Sequence, residues 1–160
     1  MVQLNFLEQV DVFRQLTDDQ LSMIRKFAEV VEFKRGDRIF AQGDPANRVW
    51  IVQEGDVELR GESAGREADQ RFSICFLSET QAYGWTCFVE PYLYRLSGYC
   101  ASRWCKVIRL NREDLLKVFA EDPVIGFKVM EYLFGAVGKQ FEQLQDQMAK
   151  DRGIEVMSQW

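Results

Sequence analysis

The segment AYGWTCFVEPYLYRLSG, Ala82 to Gly98, holds residues that could grip an anion: Gly84, Thr86, Arg95 and Ser97. A guanidinium can bond two oxygens of an oxyanion at once. Trp85, directly after the glycine, is an apolar body where a polar group would serve such a site. The segment therefore reads either as an anion site or as a pocket whose polar group has been replaced. No other part of the chain assembles a reaction centre. There is no histidine, so no His-based activation of a nucleophile. No paired carboxylates, thiol–base grouping or Walker-type loop stands out, and no enzyme or catalytic residue is expected. The four cysteines, Cys75, Cys87, Cys100 and Cys105, are too few for a disulfide framework, and Cys100 and Cys105 stand at the wrong spacing for a zinc knuckle. Reduced thiols filling core volume, with no metal site, are expected.

The 160 residues are enough for one domain and an appendage, and 47% hydrophobic with 28% charged residues is a globular composition. The net charge of −5 and the scattering of the 20 cations argue against direct nucleic-acid binding. No apolar run approaches the roughly 20 residues that span a bilayer. The start, MVQLNFLEQVDVFRQL, carries acids rather than a basic flank and apolar block. A cytoplasmic protein without membrane contact is the expectation.

The elements that must position Gly84 and Arg95 follow from patterning. In LTDDQLSMIRKFAEVVEF, Thr17 with Gln20 predicts a capping box, and Leu21, Ile24, Phe27 and Ala28 predict one apolar face. From Val30 to Leu110, β-rich runs alternate with turn signals at Gly36-Asp37, Gly43-Asp44-Pro45 and Gly55-Asp56, 7 and 12 residues apart. GESAGREADQ reads as a polar loop, Arg71 to Leu77 as a strand, and residues 99 to 110 as another. Many short strands with regular turns mean a sandwich, jelly roll or barrel. Asn111 predicts the cap of a short helix and Asp122-Pro123 the start of a long one, to about Lys150. Along it Met130, Phe134, Val137, Phe141, Leu144 and Met148 recur at spacings of 4, 3, 4, 3 and 4, a heptad seam. A helix of about 28 residues reaches roughly 42 Å, longer than the domain can cover, which favours a homodimer over packing on the chain's own barrel. Gly135 and Gly138 either let a second helix approach or weaken this one locally.

The order of elements, with RGDRIFAQGDPANRVWIVQEGDVEL, resembles the cyclic nucleotide-binding domain of the catabolite-activator and fumarate–nitrate regulator superfamily over about residues 11 to 145. The resemblance implies a mainly β double-stranded β-helix, or jelly roll, with an N-terminal helix and a long C-terminal helix. The implied division is 1–121 for the β-roll with its first helices, 122–150 for the long helix and 151–160 for a tail. In this superfamily a phosphate-binding cassette reads Phe-Gly-Glu, a short helix, then Arg-Ser/Thr-Ala. Amides and the arginine hold the cyclic phosphate, and the glutamate takes the ribose hydroxyl. Tyr83-Gly84-Trp85 matches the first motif and Arg95-Leu96-Ser97 the second, with Thr86 following the first. Trp85 replaces the glutamate, Leu96 the hydroxyl residue, and SETQA the usual Gly-Asp ahead of the cassette. Losing a hydrogen bond to a charged partner costs about 1.5–3 kcal/mol, roughly 10- to 150-fold in affinity. A degenerate cassette with weakened binding is the expectation.

Several residues keep two readings. Arg95 meets an anion or lies on a solvated turn. Trp85 plugs the core or pocket, or stacks on a ligand base. Tyr83, Tyr92, Tyr94 and Tyr99 suit an apolar small ligand or a pocket collapsed shut, and collapse is favoured. Glu90 is the cassette's only carboxylate. Two functions follow. One is a stand-alone, non-enzymatic regulatory or sensory module that takes cyclic AMP or cyclic GMP weakly, or another small anion, and signals through the long helix. The other is a ligand-free interaction or assembly module that holds a protein partner. The superfamily's transcription regulators carry a helix-turn-helix after that helix, and the ending DRGIEVMSQW is too short to hold one, so no DNA contact of that kind is expected.

Overall fold

The computed structural model describes residues 1–62 and 71–153. Helix α1 (Leu4–Leu7) and a 3₁₀ turn (Asp11–Phe13) lead into α2 (Asp18–Arg25). The capping box at its start is formed: the Gln20 amide donates to Thr17 Oγ1 (3.3 Å) and the Thr17 amide to Gln20 Oε1 (3.1 Å). Helix α2 is shorter than its apolar pattern. Phe27 and Ala28 lie beyond its cap, half-buried against the core, because the chain from Glu29 onward pairs with a strand instead.

Eight strands follow: β1 (Glu29–Lys34), β2 (Arg38–Phe40), β3 (Arg48–Glu54), β4 (Val57–Glu62), β5 (Arg71–Leu77), β6 (Ala82–Tyr83), β7 (Ser97–Cys100) and β8 (Trp104–Asn111). They form two antiparallel four-stranded sheets, ordered β1-β8-β3-β6 and β2-β7-β4-β5, a jelly roll. The turns between them need the expected glycines. Gly55 has φ +83°, and a Cβ there would sit 2.8 Å from the Trp104 carbonyl oxygen. The strand expected at 99–110 is two strands in different sheets. The chain turns at 101–103, where the Ala101 amide donates to the Asp56 carbonyl and the Asp56 amide to Ser102 Oγ. A single strand cannot change sheets without such a break. Of the expected polar loop at 61–70, Gly61 and Glu62 belong to β4 and the remainder lies outside the described residues.

Helix α3 (Arg112–Glu121) begins after Asn111, whose side chain does not cap it. Instead Asn111 Oδ1 accepts from Arg48 Nε (3.1 Å) and its Nδ2 donates to Asp114 (3.1 Å), tying the helix start to β3. Helix α4 (Pro123–Asp151) starts as patterned, with Pro123 in the first turn and Asp122 Oδ1 accepting from the Val124 amide (3.0 Å). Its first turns pack down through Ile125 and Val129, both buried, and Lys128 Nζ donates to the Gln15 carbonyl (2.8 Å). Beyond that the seam is open, from 38% exposure at Met130 to 82% at Phe134, with Val137, Phe141, Leu144 and Met148 in between. The shared core includes Phe13, Ile24, Ile51, Ile108, Leu115 and Ile125, drawn from strands and helices alike. Among the described residues no helix is long and apolar enough to cross a membrane. Residues 154–160 of the expected tail lie outside the described ones.

Candidate functional site

Strand β6 delivers the chain to Gly84, which adopts φ +103°. A Cβ at this position would come 2.5 Å from the Arg48 carbonyl oxygen, so both conformation and space require glycine. From there Trp85–Phe88 winds a 3₁₀ turn, closed by the Cys87 amide donating to the Gly84 carbonyl (3.0 Å). The Trp85 ring stacks with Phe88 (6.2 Å between centroids), which in turn meets Phe119 of α3. Trp85 also lines a cavity of about 300 Å³ with Asp11, Leu77, Tyr132 and Gln140, between the N-terminal turn and α4. Trp85 thus faces the helices. Thr86 Oγ1 is buried without a hydrogen-bond partner among the described residues. Cys87 is buried, and that burial pushes its thiol up to about 12, partly offset by the Arg112 charge. It is no nucleophile near neutral pH.

Between the sheets there are aromatic rings. Phe40 from one sheet stacks on Tyr83 from the other, with centroids 5.3 Å apart and planes at 11°. Tyr94 and Trp50 flank the same ring at 4.9 and 6.0 Å. Hydrogen bonds fix the stack: Trp50 Nε1 donates to Tyr94 Oη (3.0 Å), and Tyr94 Oη donates to the Arg48 carbonyl (3.0 Å). Gly98 admits the Phe40 ring so closely that a Cβ there would lie 2.5 Å from it. Burial pushes the Tyr83 and Tyr94 phenols up, so both are neutral at physiological pH.

The second half of the cassette splits around this stack. Leu96 is half-buried against the core, and Ser97 is fully buried with its Oγ accepting from the Gln42 amide (2.8 Å). Arg95 is exposed and has no carboxylate within 4 Å among the described residues; its charge is felt at Tyr83. Arg95 is thus on the surface, while Leu96 and Ser97 pack inward. Of the other tyrosines, Tyr92 is exposed with the Arg112 guanidinium 5.0 Å from its ring, and Tyr99 is buried and donates to Glu62 (2.6 Å). Glu90 is exposed. Nothing in the sequence singles out Phe40. Its role in closing the roll depends on β2 and β6 facing one another across the sheets, which no local pattern encodes.

The family profile described as "Cyclic nucleotide-binding domain" matches residues 30–122. The chain is similar to the CRP-like cAMP-activated global transcriptional regulator of Mycobacterium tuberculosis, 22% identical over 91% of this chain and 63% of that protein. Across the curated relatives it matches, it spans between 16% and 63% of their length. Among solved structures, the N-terminal domain of a transcriptional regulator from Streptomyces coelicolor superposes with a TM-score of 0.72 at 24% identity, covering 84% of this chain and 94% of that one. The Thermus thermophilus catabolite activator protein gives 0.71 at 18% identity, covering 84% and 62%. With the jelly roll, the glycine turns and the matched residues together, the chain belongs to the cyclic nucleotide-binding domain family.

Proposed function

We propose that this chain is a non-enzymatic regulatory module in which residues 1–121 form the sensing roll and α4 carries the output. Its cassette is degenerate. Cyclic AMP or cyclic GMP binds weakly there, or a different small anion takes its place at Arg95. The Phe40–Tyr83–Tyr94 stack carries this reading, because a nucleotide entering the roll would have to displace three packed rings. The position of Trp85 supports it further: the side chain standing for the ribose carboxylate cannot accept from a hydroxyl, and it faces the cavity beside α4. The named activator from M. tuberculosis responds to cyclic AMP; here the same fold works with altered specificity. A second copy of the chain pairs along Met130, Phe134, Val137, Phe141, Leu144 and Met148. The module works in the cytoplasm, with no direct nucleic-acid contact from these residues, given the net charge of −5.

Calorimetric titration with cyclic AMP and cyclic GMP, followed in parallel by tryptophan emission, tests the reading. Weak binding that Arg95→Ala removes is the expected result, and micromolar binding would overturn the degenerate cassette. One observation favours a second reading, that of a ligand-free assembly module: the seam is exposed while aromatic rings stack between the sheets of the roll. In that case neither nucleotide gives heat at millimolar concentration and Arg95→Ala changes nothing.

A further inference from the structure

The β1–β8 pair carries a cleft that shares no residue with the segment Ala82 to Gly98. It has a volume of about 590 Å³ and is lined by Glu32, Phe33, Lys34, Arg103, Trp104 and Lys106. That volume is in the range of small-molecule sites, which run from about 300 to 1,000 Å³. Trp104 is 43% exposed, unusual for so large a ring. Lys34 stands directly across from it in the strand register. The next pair along is hydrogen-bonded, with the Arg35 amide donating to the Arg103 carbonyl (3.1 Å), so Lys34 and Trp104 form the closer, non-hydrogen-bonded pair. The turn is held rigid on the Lys34 side, whose amide donates to Asp37 Oδ2 (2.8 Å) and whose carbonyl accepts from the Asp37 amide (2.9 Å).

The cations of the cleft are not equivalent. Lys106 is engaged twice, by Glu54 (3.2 Å) and by the Trp104 ring, whose centroid lies 5.1 Å from its Nζ. Lys34 and Arg103 have no carboxylate within 4 Å among the described residues. Two uncommitted cations beside an exposed indole, in a chain of net charge −5, form a local exception to the protein's overall charge.

We propose that this cleft is a second binding site, for a small planar aromatic anion whose ring lies on Trp104 and whose acidic group is held by Lys34 and Arg103. The indole supplies the stacking face and the cations supply charge-assisted hydrogen bonds. A polyanion fits less well, since Glu32 and Glu54 border the cleft and the rest of the chain repels extended negative charge.

The test is a titration of the whole chain with naphthalene-2-sulfonate, followed by NMR of the four tryptophan indole N–H signals, with Trp104→Phe assigning the one that matters. Naphthalene-2-methanol serves as the uncharged counterpart. The Trp104 signal moves saturably, the sulfonate binds at least about tenfold more tightly than the alcohol, and the double variant Lys34→Ala/Arg103→Ala loses at least about tenfold for the sulfonate alone. Both side chains are exposed, so the variant's thermal melt stays that of the parent. Equal binding of the alcohol, an unmoved Trp104 signal, or a double variant that binds as well as the parent would each overturn the proposal.

Discussion

At the scale of single residues, the contacts of Gly84 and Phe40 shape the segment from β6 to β7. Gly84 must be glycine for its φ of +103° and its approach to the Arg48 carbonyl. Gly84→Ala is therefore expected to cost about 1–3 kcal/mol or more in urea unfolding. Phe40 is the keystone of the ring stack, and Phe40→Ala should cost about 3–5 kcal/mol in the same assay, leaving a void between the sheets. The buried thiols and phenols set a pH dependence with a definite sign. Cys87 rises from about 9 to about 12 by burial, and Cys105, Tyr83 and Tyr94 shift upward for the same reason. An unfolded chain releases these protons first, so their contribution to stability is whole below pH 9 and fades between about pH 9 and 12. Unfolding free energies measured across that window should fall, and Cys87→Ala should flatten part of the slope. The spacing singled out Gly84, whose positive φ makes it a required glycine, and Arg95, which lies exposed. The sequence left Trp85 and the tyrosines with two readings each, because a side chain's direction out of a short turn depends on what the opposite sheet presents.

Elements were more legible than side chains, for a physical reason. Caps and turns are local: Thr17 with Gln20, Asp122 with Pro123, and Gly55 at positive φ each form as their neighbours dictate. The division of residues 99–110 into β7 and β8 was not legible, since both halves are apolar and β-prone and only the bonds from Asp56 place the break. For α4, the seam repeat was plain in the sequence, and its exposure in the single chain supports the proposed pairing. Phe134→Glu/Phe141→Glu should weaken self-association at least about tenfold in sedimentation while leaving the melt of the roll unchanged, because both rings are already in solvent. Gly135 has open space around its Cβ position, so Gly135→Ala should stabilise the helix by about 0.5–1 kcal/mol. A loss of pairing in that variant would instead assign the glycine to close helix approach.

For the whole molecule, the family fold is kept, and a stack of aromatic rings lies between its sheets. Arg95 is exposed, the Phe40 stack occupies the interior, and Trp85 lines the cavity beside the helix proposed to carry the output. The most direct test is calorimetric titration of the intact chain with cyclic AMP and cyclic GMP. Weak heat, with the binding removed by Arg95→Ala, is what a degenerate cassette predicts. Saturable micromolar binding with a shift in tryptophan emission would mean that the stack opens readily, and would contradict it.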